Sequence, residues 1–99
     1  MREHLANRRA SITLDFEHAG LRYSMTLSRF ADGRLAEVFF NNHKHDSAAD
    51  AWARDTGVIA SLALQHGVSI ELLRGAIGRD SMGRPTSPIG TALDLVAER

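Results

Sequence analysis

Residues 78–87, Gly-Arg-Asp-Ser-Met-Gly-Arg-Pro-Thr-Ser, set Arg79 and Arg84 among glycines and hydroxyls immediately before Pro88. Ser87 followed by Pro88 is a helix-starting pair, with the serine as N-cap and the proline as first helical residue. The free N–H groups and partial positive charge of a helix N-terminus attract anions, and two guanidinium forks beside them would clamp a phosphate. Arg79, Arg84, Thr86 and Ser87 are therefore candidate ligands for a nucleotide or another phosphate-bearing small molecule. The competing reading is a polar connecting loop that simply caps the next helix. Neither a Gly-x-x-x-x-Gly-Lys-Ser/Thr loop nor a Gly-x-Gly-x-x-Gly turn after a strand is present, so the two readings stand side by side.

The other polar clusters carry less chemistry. His43, His45, Asp46 and Asp50 hold metal-ligating atoms, but a closed site needs about four well-placed ligands and Lys44 would repel the ion. A solvated turn is expected there. His66 falls at a helix C-terminus, where partial positive charge is welcome. Asp50, Arg54 and Asp55 read as surface charges with an Asp50–Arg54 pair one turn apart. The chain has no cysteine, which removes disulfides, thiolate metal ligands, nucleophilic thiols and dithiol relays together. With no Gly-x-Ser-x-Gly elbow either, the expectation is no catalytic residue, no metal and no cofactor.

Twelve basic residues balance twelve acidic ones, which leaves no electrostatic footprint for wrapping nucleic acid. The apolar runs are too short to span a bilayer. Met1-Arg2-Glu3-His4-Leu5 has no apolar stretch behind its charges, so a secretory signal is not expected and the cytoplasm is the expected compartment. Ninety-nine residues allow one core and no second domain.

The elements that must position these residues follow from periodicity. Residues 1–10 read as a flexible arm and 11–99 as a single domain. Ile12, Leu14, Phe16 and His18 alternate with polar neighbours, as do Leu21, Tyr23, Met25 and Leu27, which predicts two strands joined at Ala19-Gly20. Asp32-Gly33 predicts a second tight turn and a third strand over 34–41. From Ser47 the period becomes helical, with Trp52, Thr56, Ile59, Ala63 and His66 on one stripe widened by Val58 and Leu62. That helix stops at Gly67, a second runs from Ser69 to about Ile77, and a third begins at Ser87-Pro88 with Ile89, Ala92, Leu93 and Val96 on its inner face. Strands first and helices after predict an α+β fold, a three-stranded antiparallel meander followed by three helices.

The aromatic residues Tyr23, Phe39, Phe40 and Trp52 are expected in the core. The third strand is apolar on both sides, with Ala36, Val38 and Phe40 facing one way and Leu35 and Phe39 the other. Something should cover Leu35 and Phe39, either the N-terminal arm or a second copy of the chain in a homo-oligomer.

Residues from about 34 to 95 resemble the TSCPD domain family. That family includes the C-terminal region of adenosylcobalamin-dependent (class II) ribonucleotide reductases and short stand-alone proteins. The similar stretches are Ala36-Glu37-Val38-Phe39-Phe40-Asn41, Ala53-Arg54-Asp55 leading into Ala60-Ser61-Leu62-Ala63-Leu64-Gln65-His66-Gly67-Val68, and Gly83-Arg84-Pro85-Thr86-Ser87-Pro88-Ile89-Gly90 running into Ala92-Leu93-Asp94-Leu95. The order and spacing of all three carry the resemblance. The signature Thr-Ser-Cys-Pro-Asp corresponds to Thr86-Ser87-Pro88-Ile89-Gly90, so the cysteine and aspartate positions hold Pro88 and Gly90. The resemblance implies a link to deoxyribonucleotide supply and a reductase large subunit as partner. It does not imply catalysis, because reductases of this kind need a large barrel with a radical-carrying cysteine and a dithiol pair.

Overall fold

The structure, a computed structural model, describes residues 1–5 and 10–99. Three strands, β1 (Ser11–His18), β2 (Leu21–Arg29) and β3 (Leu35–Asn42), precede three helices, α1 (Ala48–Gln65), α2 (Ile70–Ala76) and α3 (Pro88–Ala97). The sheet is antiparallel in the order β1-β2-β3, so the α+β meander followed by helices is the fold observed. Ala19 and Gly20 both take positive φ, 51° and 79°, which gives the first hairpin the twist of a two-residue primed turn. Each helix opens on a serine whose hydroxyl accepts a backbone N–H: Ser47 from Asp50, Ser69 from Leu72 and Ser87 from Gly90.

One face of the sheet carries Phe16, Tyr23, Met25, Leu27, Val38 and Phe40 against Ala53, Ala60 and Leu64 of α1 and Ile89, Leu93 and Val96 of α3. Phe16 stacks on Tyr23 with centroids 5.3 Å apart, and Phe40 leans on both. Apart from Phe39, which pairs with Thr26 and is exposed, the opposite face is polar and hydrogen-bonded to itself: Thr13 with Thr26 at 3.0 Å, Ser24 to Asp15 at 2.6 Å, and Ser28 to Glu37 at 2.6 Å.

Helix α1 lies along the free edge of β3 and takes the place of a fourth strand. The Val38 N–H donates to Ser61 Oγ and the Ser61 hydroxyl donates to Val38 O, both at 3.0 Å. Gln65 Nε2 donates to Ala36 O at 3.2 Å, and the Asn42 N–H donates to Asp50 Oδ1 at 3.1 Å. Positions 50, 57, 61 and 65 fall on one line of the helix. Gly57 sits where the two backbones meet, and a Cβ there would lie 3.1 Å from Val38 O and 3.2 Å from Phe39 Cα.

This geometry corrects the expected helix stripe. The buried residues of α1 are Asp50, Ala53, Gly57, Ala60, Ser61, Leu64 and Gln65, whereas Trp52 is 73% exposed and Ile59 68%. Val58 and Leu62 are exposed as well. Small and hydrogen-bonding residues go inside because a helix can dock on a strand edge only if it comes close and satisfies the edge's donors and acceptors. Of the aromatic residues expected in the core, Tyr23 and Phe40 are there, while Trp52 and Phe39 are exposed.

Leu35 is also corrected. A register shift at Ser28/Arg29 makes Ala36 an extra residue in β3, and such a bulge turns the flanking side chain to the other face. Leu35 is consequently 5% exposed within the core and offers no surface to a second copy. Of the expected arm, residues 6–9 lie outside the described residues. The Glu3 N–H donates to Gln65 O at 2.7 Å and the Glu3 carboxylate pairs with Arg34 at 2.9 Å, so this end of the chain meets the α1 C-terminus.

Candidate functional site

The β1–β2 hairpin, the first half of α1 and the start of α3 converge around a cleft of about 310 Å³. Tyr23 and Phe40 line it from the sheet, His18 and Leu21 from the hairpin, Trp52 and Thr56 from α1, and Pro88 and Ile89 from α3. The walls are held by local bonds. His18 Nδ1 and Thr91 Oγ1 are 2.8 Å apart, which ties the hairpin to α3. The Thr56 hydroxyl donates to Trp52 O one turn back. Ser87 and Pro88 enter the cleft as the cap and first residue of α3. The cleft is apolar with few polar groups, the common character of a site that receives a hydrophobic group. Trp52 stands at its rim, and an exposed indole beside an apolar cavity is the kind of group that dominates protein–protein binding energy.

The arginine loop is organised differently. Residues 79 and 85 form a bridge closed by Asp80 N–H to Arg84 O at 2.9 Å and Thr86 N–H to Gly78 O at 3.1 Å. Arg79 donates to both carboxylate oxygens of Asp94, at 3.0 and 2.7 Å, and Arg74 donates to Asp94 at 2.9 Å. Arg84 donates to Asp80 Oδ2 at 3.2 Å. Thr86 packs against Gly78, where a Cβ would come within 2.7 Å of its Oγ1, and Ser87 is occupied as a helix cap. The four candidate ligands are neighbours in the fold, but both guanidinium groups already face carboxylates of the chain itself. A phosphate would have to compete with Asp94 for Arg79, whereas Arg84 meets Asp80 through Nε alone and is 74% exposed.

Asp94 is the most perturbed carboxyl: the Arg79 hydrogen bond, reinforced by Arg74, holds it down at about 2. A lowered carboxyl stabilises the fold above its unfolded value near 3.8 and loses that contribution as the pH falls through about 2. The contribution at neutral pH is about 1–2 kcal/mol, reduced by the partial exposure of the pair. Asp94→Asn should therefore flatten the dependence of urea-unfolding stability between pH 5 and pH 2. A variant with the wild-type slope would show that the Arg79–Asp94 pair contributes nothing.

Of the remaining polar clusters, His43 Nε2 meets Ser24 Oγ at 2.8 Å on the open sheet face. Among the described residues no group of three or more His, Asp or Glu side chains is placed to hold a metal ion. Asp50 is no surface charge. Burial would raise its pKa, but the hydrogen bonds from Arg54 and Asn42 outweigh burial and keep it below the usual carboxylate range. The expected Asp50–Arg54 pair is formed, at 3.1 Å. Periodicity does not reveal the cleft, because it is built from three distant stretches and the spacing of its most prominent residue, Trp52, points to the core.

No family model matches the chain, and no solved structure matches it. Curated proteins do match it. The chain is 36% identical over 70 residues to the vitamin B12-dependent ribonucleotide reductase of Agrobacterium fabrum, and 30% identical over 70 residues to that of Bradyrhizobium diazoefficiens. In both cases 71% of this chain matches, and the match spans 6% of the relative. Most of the chain is thus similar to a short segment of a B12-dependent ribonucleotide reductase.

Proposed function

We propose that this chain is a ribonucleotide-reductase-related binding module of the TSCPD type, non-catalytic on its own, acting in deoxyribonucleotide metabolism through contact with a reductase large subunit. The observation that carries the reading is the 36% identity over 70 residues to a segment of a B12-dependent reductase. The absence of cysteine supports a binding role over a catalytic one, since the chain has no thiol to carry a radical or to supply reducing equivalents. The cleft supplies a place for a partner's apolar side chain, with Trp52 as anchor. Among the described residues no helix is long and apolar enough to cross a membrane, and the cytoplasm is the compartment this reading implies.

A tagged copy of the chain drawn from its own host's lysate should bring down a ribonucleotide reductase large subunit, identified by mass spectrometry. Recovery of the chain with no reductase would reduce the similarity to shared ancestry.

A further inference from the structure

The two edges of the sheet are treated differently. The β3 edge is covered by α1, whose Asp50, Ser61 and Gln65 bond to its backbone. Among the described residues, none covers the β1 edge. His43 N–H donates to Arg22 O, so the Arg22 backbone faces β3 and that of Tyr23 faces β1. Tyr23 pairs with Phe16, which turns the backbone groups of Phe16 inward and those of Thr13, Asp15 and Glu17 outward. No described residue hydrogen-bonds to these outward groups. The strand is eight residues long, contains no proline or lysine, and has Ser11, Thr13, Asp15 and Glu17 exposed along it. A long edge with neither a covering element nor a blocking residue is a template for another strand.

We propose that two copies of the chain pair through β1, antiparallel and two-fold, with the axis at Leu14, to make one continuous six-stranded sheet. The sequence of β1 favours this partner and this register. With Leu14 opposite Leu14, Ile12 faces Phe16, and Thr13 faces Asp15 as a hydrogen-bonded pair whose backbones already point outward. Ser11 through Glu17 all find partners, and no two carboxylates meet. Sliding the axis to Asp15 sets that carboxylate against its own copy, which is unfavourable across a strand pair. Sliding it to Thr13 shortens the ladder and sets Phe16 against Ala10, outside the strand. The Leu14 register also covers Ile12, which is 41% exposed on the core side of the sheet in the single chain. This assignment moves the expected self-contact from the third strand to the first and is independent of any reductase partner.

The chain's lack of cysteine makes the register directly readable by cross-linking. At the axis, Leu14→Cys places two thiols on Cα atoms about 4.5 Å apart, inside disulfide range, whereas Ile12→Cys places them about 13 Å apart. Under mild oxidation Leu14→Cys should form covalent dimer at least about tenfold faster than Ile12→Cys. Sedimentation of the wild type should show a concentration-dependent dimer. Thr13→Pro, which removes an outward N–H that no described residue uses together with the exposed Thr13–Thr26 hydroxyl contact, should be monomeric with a thermal midpoint within about 5 °C of wild type. Leu14→Lys, with two ammonium groups at the axis, gives the same reading should the proline variant fail to fold. A wild type that stays monomeric to about 1 mM overturns the proposal. So does a dimer that survives in a folded Thr13→Pro or Leu14→Lys, or equal cross-linking rates at positions 12 and 14.

Discussion

Gly57→Val should lower the stability of the fold by roughly 3 kcal/mol, or about 15 °C in thermal midpoint for a domain of this size. The first atom of a side chain at this position already lies 3.1 Å from Val38 O and 3.2 Å from Phe39 Cα. Both are backbone, which cannot swing aside. Valine adds two further methyl groups, so α1 must lift from the β3 edge. Lifting it weakens together the bonds that Ser61 and Gln65 donate and the one that Asp50 accepts, and leaves buried donors such as the Val38 N–H without partners, at about 1–3 kcal/mol each. Gly57→Ala is milder, because the gain in helix propensity of about 1 kcal/mol opposes the crowding. Gly75 in α2 is the control: a Cβ there meets nothing within 4 Å, so Gly75→Ala should be neutral or stabilising by up to about 1 kcal/mol. Thermal unfolding followed by circular dichroism compares the three. A Gly57→Val variant as stable as wild type would mean that α1 does not sit against the strand.

Trp52→Ala carries the largest functional effect. Loss of the indole should weaken binding to a reductase large subunit by about 10- to 100-fold, the usual cost of removing an aromatic anchor. The side chain is 73% exposed in the free chain, so the fold itself should be little affected, with a midpoint within about 2 °C of wild type. Calorimetric titration with the purified subunit, beside a melting curve, separates the two. Equal loss of affinity and stability would make Trp52 a structural residue.

Much of the fold was legible in the sequence. Two-residue alternation located β1 and β2, Asp32-Gly33 marked the second turn, and three serine caps started three helices within a residue of their observed positions. The face of α1 was not legible. Periodicity ranks residues by hydropathy, and the helix buries Asp50, Gly57, Ser61 and Gln65 beside Ala53, Ala60 and Leu64 because one side of its buried face meets a strand edge. The side of Leu35 was lost for a related reason, since one extra residue at Ala36 reverses the alternation and leaves no mark in composition. At the loop, charge and glycine content described an anion site equally well, while Asp80 and Asp94 supply the arginines with partners. Asp94 is ten residues beyond the nearer arginine, and only the docking of α3 brings it to Arg79. The cleft depends on the same long-range arrangement.

Trp52 would itself report the proposed engagement of a ribonucleotide reductase through this cleft. It is the single tryptophan of the chain and stands at the rim of the cleft, largely exposed to solvent. A reductase chain whose own tryptophans have been replaced by phenylalanine, and whose activity is retained, leaves Trp52 as the only emitter. Titration of that subunit into the chain should shift the emission to shorter wavelength as water leaves the indole, with saturation at a fixed ratio of the two proteins. An emission maximum that stays at the fully hydrated value with the subunit in excess would mean that no reductase occupies the cleft.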